Sequence, residues 1–203
     1  MKESLTTIIL AGGQSSRMGQ DKALLTYQGT SLLTRTCHLA LTLACSVYVV
    51  TPWGDRYQAH LPPGCILFPE VWPDGCLTSP GPLWAFAQVL PHLSTDWVLL
   101  LACDLPRLTA NFLHSSYQQL AQVSPQTLAY ISRGTQGWEP LCGFYRVSSL
   151  ETLQSFIAQG GRGFQGWLNQ IEVAELTLAD TQLLFNCNDP QDWQSLETGQ
   201  KRR

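Results

Sequence analysis

From Asp96 to Ala102 the chain reads D-W-V-L-L-L-A, a run in which polar and apolar residues do not alternate. A strand of that kind must be covered on both faces. That is the environment of a central parallel strand with helices on each side of the sheet. Leu5 to Ala11 reads as a second buried strand, Ser46 to Thr51 (S-V-Y-V-V-T) as a third, and Cys65 to Phe68 as a short fourth. Stretches with helical spacing lie between them. Thr30 or Ser31 caps a helix with Leu32, Leu33, Leu39 and Leu43 on its apolar stripe, and another helix is expected from about Leu83 to Leu93. Strand and helix in alternation imply β-α-β units and a doubly wound α/β domain. At 203 residues the chain is expected to be one domain. Ligands in such sheets bind at the carboxyl ends of the strands, so the chemistry should sit just after each strand.

The second half continues the pattern. Thr109 caps a helix to about Val123, and strands are expected at Leu128 to Ser132 and Leu141 to Arg146. Ser148 to Gln159 reads as a helix ended by Gly160-Gly161. A glycine-rich stretch then leads to strand-like segments near Val173 and Leu184. Asp189-Pro190-Gln191-Asp192 opens a last helix, with a cap, a proline at the first position and an acid at the third.

Charge is scarce: 13% of residues are charged and the net charge is -3. That argues against non-specific nucleic-acid binding, which needs a basic surface. No run of 18 apolar residues occurs, and Met1-Lys2-Glu3 leads into a strand rather than a signal sequence, so neither a membrane span nor secretion is expected. The seven cysteines are odd in number and form no C-x-x-C, as expected for reduced thiols in a cytoplasm, and the four histidines show no zinc-ligand spacing with them. Lys2, Lys22 and Lys201 are the only lysines, so Lys22 is the one interior ammonium.

Lys22 lies in the segment that follows the first strand, L-A-G-G-Q-S-S-R-M-G-Q-D-K, Leu10 to Lys22. Glycines directly after a buried strand let the backbone approach a ligand and aim its N–H groups at it. Ser15 and Ser16 add donors, and Arg17 and Lys22 bring positive charge. A nest of amides with two cations suits a triphosphate. The spacing is neither the P-loop's nor G-x-G-x-x-G. A tight turn with incidental charges is the alternative. The second motif, A-C-D-L-P, Ala102 to Pro106, ends the central strand. An aspartate there is costly unless a metal or a donor satisfies it. Opposite a phosphate loop, Asp104 suits Mg²⁺, which takes a carboxylate or two, water and phosphate oxygens. A capping or turn aspartate is the alternative.

The first loop, extended through D-K-A-L-L, resembles the signature of the molybdenum cofactor guanylyltransferases, within the nucleotidyltransferases of Rossmann-like fold. The resemblance runs from Leu10 to about Trp193. It implies a three-layer α/β/α fold with a mostly parallel central sheet. The nucleotide would lie on residues 5–110 and the pterin substrate on residues 125–196. It implies GTP and molybdopterin as substrates, with Mg²⁺ bound by Asp104. Arg17, Lys22 and Asp104 would be the catalytic residues. Leu10, Ala11, Gly12, Gly13, Ser15, Lys22, Thr51, Glu70 and Asp104 would contact the nucleotide. Thr51 stands where the family often has asparagine reading guanine, and Asp74 competes with Glu70 for the place of the family's acidic residue. Ser79 to Phe86 (S-P-G-P-L-W-A-F) resembles a family segment that starts a helix near the nucleotide. F-N-C-N-D-P-Q-D, Phe185 to Asp192, is similar to the family's ending, so Asn186 and Asn188 would face the pterin. Turn and capping chemistry would also explain those asparagines. Arg162 would meet a substrate phosphate or lie on a surface loop. The partners expected are small molecules, with no nucleic acid or membrane. A monomer is expected, with at most transient contact with cofactor-biosynthesis or molybdoenzyme-maturation proteins.

Rival classes are a CTP- or UTP-dependent nucleotidyltransferase acting on another pterin or a sugar phosphate, and a nucleotide-binding regulator without turnover. A dinucleotide-dependent oxidoreductase would need G-x-G-x-x-G and an acid about 20 positions on.

Overall fold

The computed structural model describes residues 4–13, 19–44, 46–76, 78–178, 180–187 and 189–198. The elements run β1 (Leu5–Leu10), β2 (Thr26–Tyr27), β3 (Thr30–Ser31), α1 (Leu32–Leu41), β4 (Ser46–Thr51), α2 (Gly54–Tyr57), β5 (Cys65–Pro69), α3 (Pro82–Val89) and β6 (Trp97–Ala102). The second half holds α4 (Ala110–Gln119), β7 (Ala129–Gly134), β8 (Gly137–Arg146), α5 (Leu150–Ala158), α6 (Phe164–Leu168), β9 (Val173–Glu175) and α7 (Pro190–Thr198). Seven strands form one sheet in the order β5-β4-β1-β6-β8-β7-β9, and β2 and β3 form a separate ribbon.

The expected α/β/α layering is present. β6 is buried at every position and lies beside β1, with Leu10 opposite Ala102. On one face Ile9, Val47, Val49, Leu99 and Leu101 pack against α1 and α4. On the other Ile8, Val50, Val98 and Leu100 pack against α3, α5 and α6. Burial on both faces is why these strands read as unbroken apolar runs. The pairs β5–β4, β4–β1, β1–β6 and β7–β9 are parallel, and β8 runs antiparallel between β6 and β7. After β1 the chain goes outward to β4 and β5, then crosses to β6 on the other side. That reversal leaves a crevice at the carboxyl ends of β1 and β6.

Several local expectations are corrected. Ser31 is the cap of α1, accepting from the Thr34 amide at 3.2 Å. The buried face of α1 is Leu32, Leu33, Thr36, Cys37 and Ala40, whereas Leu39 and Leu43 are only half-buried. Small side chains at 37 and 40 let the helix lie close to the sheet. Leu184 is in a 3-10 turn, Thr181–Leu184, not a strand, because the Asp180 carboxylate accepts from the Gln182 amide at 2.9 Å and starts the turn. The glycine-rich stretch after α5 contains helix α6, whose Phe164 and Trp167 join Phe86 and Tyr145 in an aromatic cluster. Gly160 ends α5 with φ +88, a left-handed conformation that favours glycine.

Candidate active site

A cleft of about 450 Å³ opens at that crevice. Its floor is Leu10, Ala11, Gly12 and Gly13, directly after β1. Asp21 and Lys22 line it as well, beside Ala102, Cys103 and Asp104 at and just after the end of β6. Glu70, following β5, Ser79 to Ala85 at the start of α3, Leu141 and Asn186 complete it.

Lys22 opens a short 3-10 turn, Lys22–Leu24, capped by Asp21, whose carboxylate accepts from the Ala23 amide at 3.1 Å. The turn carries the Lys22 ammonium to 3.3 Å from Asp104 Oδ2, with 14% and 16% of the two side chains exposed. Asp104 Oδ1 is buried without a hydrogen-bond partner. Burial pushes the Asp104 carboxyl above its ordinary value, and Lys22 pulls it back. One oxygen is thus paired and the other bare, just beyond the end of a buried strand. A hard divalent cation satisfies such an oxygen. Mg²⁺ is held in sites of this kind by one or two carboxylates and by the phosphates it arrives with. Among the described residues no group of three or more His, Cys, Asp or Glu could hold a metal. A lone carboxylate such as Asp104 could hold only a cation that brings most of its ligands with the substrate.

Glu70 is only 7% exposed. One carboxylate oxygen accepts from the Trp72 indole at 2.9 Å, and the other faces Gly12 so closely that a Cβ there would stand 2.5 Å from it. Burial raises the Glu70 carboxyl, and the indole lowers it again. Gly12→Ala should displace the Glu70 carboxylate more than it unsettles the fold. A substrate KM raised by about tenfold, or about 1.4 kcal/mol, is expected, with a small change in melting temperature. An unchanged KM would show that the contact between Gly12 and Glu70 does not matter to binding. Asp74 is exposed in a turn and does not line the cleft.

Thr51 does not line the cleft either. It is 1% exposed, its hydroxyl donates to the Ala11 carbonyl at 2.9 Å, and the same oxygen accepts from the Trp53 amide at 3.0 Å. Its place is beneath the loop, fixing the backbone of Ala11, rather than in the lining where the expected nucleotide contact would be. Arg162 is exposed between α5 and α6 and is not part of the cleft. Arg17, Ser15 and Asn188 lie outside the described residues.

Asn186 does reach the cleft, with its Oδ1 buried and unpartnered. Its segment is tied to the aspartate loop, since the Cys187 amide donates to the Asp104 carbonyl at 3.2 Å. Arg107 reinforces the tie: its guanidinium lies 4.4 Å over the Phe185 ring and donates to the Gln182 side chain. Inspection of the sequence missed Asp21, Arg56 and Tyr57. The Tyr57 hydroxyl donates to both Asp21 oxygens, at 3.0 and 2.9 Å, and Arg56 pairs with Asp21 at 2.9 Å. A D-K pair after a glycine loop marks Asp21, but nothing local marks its partners 35 and 36 residues away.

Comparison with known proteins gives a consistent result. The family described as "MobA-like NTP transferase domain" matches residues 7–174. A protein of Nostoc sp. named "Probable molybdenum cofactor guanylyltransferase" is 49% identical over 189 residues, covering 93% of this chain and 88% of its own. A "Molybdenum cofactor guanylyltransferase" of Albidiferax ferrireducens is 30% identical over 207 residues, covering 96% of each chain. Among solved structures, the molybdopterin-guanine dinucleotide biosynthesis protein A of Archaeoglobus fulgidus superposes with a TM-score of 0.75 at 19% identity, over 95% of this chain and 97% of that one. A 4-diphosphocytidyl-2C-methyl-D-erythritol synthase of Anaerococcus prevotii does so with 0.71 at 10% identity, over 99% and 97%. At those identities the two structures share the fold with this chain. The fold by itself does not choose the base.

Proposed function

The chain belongs to the MobA-like NTP transferase family, and from that premise we propose that it transfers GMP from GTP to the terminal phosphate of molybdopterin. The product would be the guanine dinucleotide form of the cofactor, and pyrophosphate would leave. The names of its relatives support the substrates. The observation that carries the chemistry is the Lys22–Asp104 pair, with its one bare carboxylate oxygen, across a cleft floored by Leu10 to Gly13.

A phosphate oxygen of molybdopterin attacks the α-phosphorus of GTP. The bond from that phosphorus to the bridging oxygen breaks, and pyrophosphate carries away the electron pair. The nucleophile already bears charge, so no strong general base is required. Catalysis comes from positioning and charge neutralisation. The amides of Gly12 and Gly13 and the Lys22 ammonium supply donors to the triphosphate. Arg17 is a second cation in this reading. Asp104 would hold Mg²⁺, which when bound neutralises charge on the phosphates. Residues 5–110 take the nucleotide in this scheme and residues 125–196 the pterin, with Asn186 as its amide contact and Asn188 as an outer one.

Guanine selection falls to Glu70 and the backbone from Leu10 to Gly12. Guanine alone among the bases presents two adjacent donors, N1–H and the 2-amino group, and a carboxylate accepts both. Glu70→Gln replaces one acceptor by a donor. The ratio of kcat/KM for GTP over CTP should fall by about tenfold or more. A ratio unchanged within twofold would remove Glu70 from base selection.

The decisive test incubates the protein with Mg²⁺, molybdopterin and each of the four nucleoside triphosphates. Pyrophosphate and the dinucleotide product are then followed. GTP should be the productive substrate. Turnover with CTP or UTP alone would make the chain a different nucleotidyltransferase, and binding without turnover would make it a regulator. The reaction requires no nucleic acid, membrane or second subunit, and a monomer suffices for it. Its proposed setting is the cytoplasm, supported by free thiols at the six described cysteines. Among the described residues no helix is long and apolar enough to cross a membrane.

A further inference from the structure

Two carboxylates adjoin Lys22, one in sequence and one in space. Asp21 is its neighbour in sequence, and Asp104 is 82 residues away. Lys22 makes its ion pair with Asp104, and Asp21 makes its own with Arg56. We propose that Tyr57, assisted by Arg56, is a positioning residue that keeps Asp21 occupied so that Lys22 is presented across the cleft. The proposal rests on the reading of Lys22 as a triphosphate-binding cation.

The geometry supports it atom by atom. Asp21 Oδ1 accepts from the Ala23 amide at 3.1 Å and from the Tyr57 hydroxyl at 3.0 Å. Oδ2 accepts from the same hydroxyl at 2.9 Å and from Arg56 Nη1 at 2.9 Å. A carboxylate has about four lone-pair sites. Three donors, with the single Tyr57 proton shared between both oxygens, engage Asp21 and reduce its capacity for a further cation. Tyr57 is 1% exposed, and burial together with Asp21 pushes its hydroxyl to stay protonated, a permanent donor. Arg56, by contrast, is half exposed and lies 5.1 Å over the Trp53 ring, so the buried hydroxyl is the fixed member of the pair.

The segment that carries these groups is itself anchored. Thr51, at the end of β4, ties the Ala11 carbonyl and the Trp53 amide, and α2 follows at once with Arg56 and Tyr57. Residues 51–57 thus hold both ends of the glycine loop, at Ala11 and at Asp21. Losing the Tyr57 hydroxyl would free acceptor sites on Asp21 next to Lys22, and the ammonium would divide between two carboxylates.

A double-mutant cycle on the full chain tests this. Tyr57→Phe should lower kcat/KM for GTP by about tenfold. In a Lys22→Ala background the same change should cost less than about twofold, because its effect passes through Lys22. Asp21→Asn retains a capping oxygen and removes the rival charge. It should therefore bring Tyr57→Phe back to within about threefold of Asp21→Asn alone. Multiplying losses with Lys22→Ala, or no recovery with Asp21→Asn, would overturn the proposal and leave Tyr57 a packing residue. Arg56→Gln, at a half-exposed position, should repeat the non-additivity on a smaller scale, about threefold, even where the tyrosine variant folds poorly. Additivity there would count equally against it. An unmutated protein that neither binds nor turns over GTP would instead refute the nucleotide reading itself.

Discussion

Asp104→Ala is expected to lower turnover by about three orders of magnitude and to abolish the response to magnesium, consistent with the several kcal/mol that a metal contributes to phosphoryl chemistry. Initial rates across a magnesium titration give the first readout. Binding of Mn²⁺ in the presence of GTP, followed by electron paramagnetic resonance, gives a second that does not depend on turnover. An unaltered magnesium titration would sink the metal assignment. Asp104→Asn is the closer comparison, since it keeps an acceptor for Lys22 while removing the charge. The two readouts should fall together in both variants. Stability should move differently. Burial raises the folded-state value of the Asp104 carboxyl, so between its unfolded and folded values the native chain holds a proton that the unfolded chain has lost. The contribution of Asp104 to stability therefore declines as pH rises through that window. Above that window the ionised group costs the fold something. Asp104→Asn should melt at the same temperature as the parent or higher. A site that loses activity while its scaffold gains stability is the signature of a charge placed for chemistry.

Lys22→Ala should lower turnover by about two to three orders of magnitude, the scale found when a donor to developing negative charge is removed. Turnover within threefold of the parent would remove Lys22 from the mechanism. Lys22→Arg is informative beside it. The guanidinium keeps the charge but is a planar fork rather than a point charge. Partial recovery would mean that charge on the triphosphate matters most, and no recovery would mean that the 3.3 Å approach to Asp104 sets the geometry. Both variants should retain the overall fold, because Ala23 and the 3-10 turn are held by Asp21 and not by the ammonium.

The sheet was legible because burial on both faces writes itself into the residues. Trp97 to Ala102 could not be amphipathic and still be central. Lys22 and Asp104 were legible for a related reason: a lone lysine and a carboxylate ending an apolar strand are costly enough to need a purpose. Thr51 was misread because a strand-end hydroxyl looks the same in sequence whether it faces a ligand or a backbone carbonyl, and only the pairing of β4 with β1 decides. Helix α6 was overlooked because glycines around Phe164 and Trp167 dilute the helical pattern. What drives it is the aromatic contact with Tyr145 on a strand far from it in sequence. Tyr57 escaped for the same reason: its value lies wholly in a partner from another part of the chain.

The bond from the Cys187 amide to the Asp104 carbonyl has a consequence for the order in which the molecule forms. β1, β4, β5 and β6 can assemble with α1 and α3 as soon as the first half of the chain is available. The wall bearing Asn186 must wait until everything from α4 to the turn at Thr181–Leu184 has been threaded back to the carboxyl end of β6. Its docking partner, the Asp104 carbonyl, is in place only once β6 has paired with β1, so the wall follows that pairing. During refolding, a nucleotide-competent half should therefore precede the complete cleft. Capture of a fluorescent GTP analogue should recover ahead of dinucleotide synthesis.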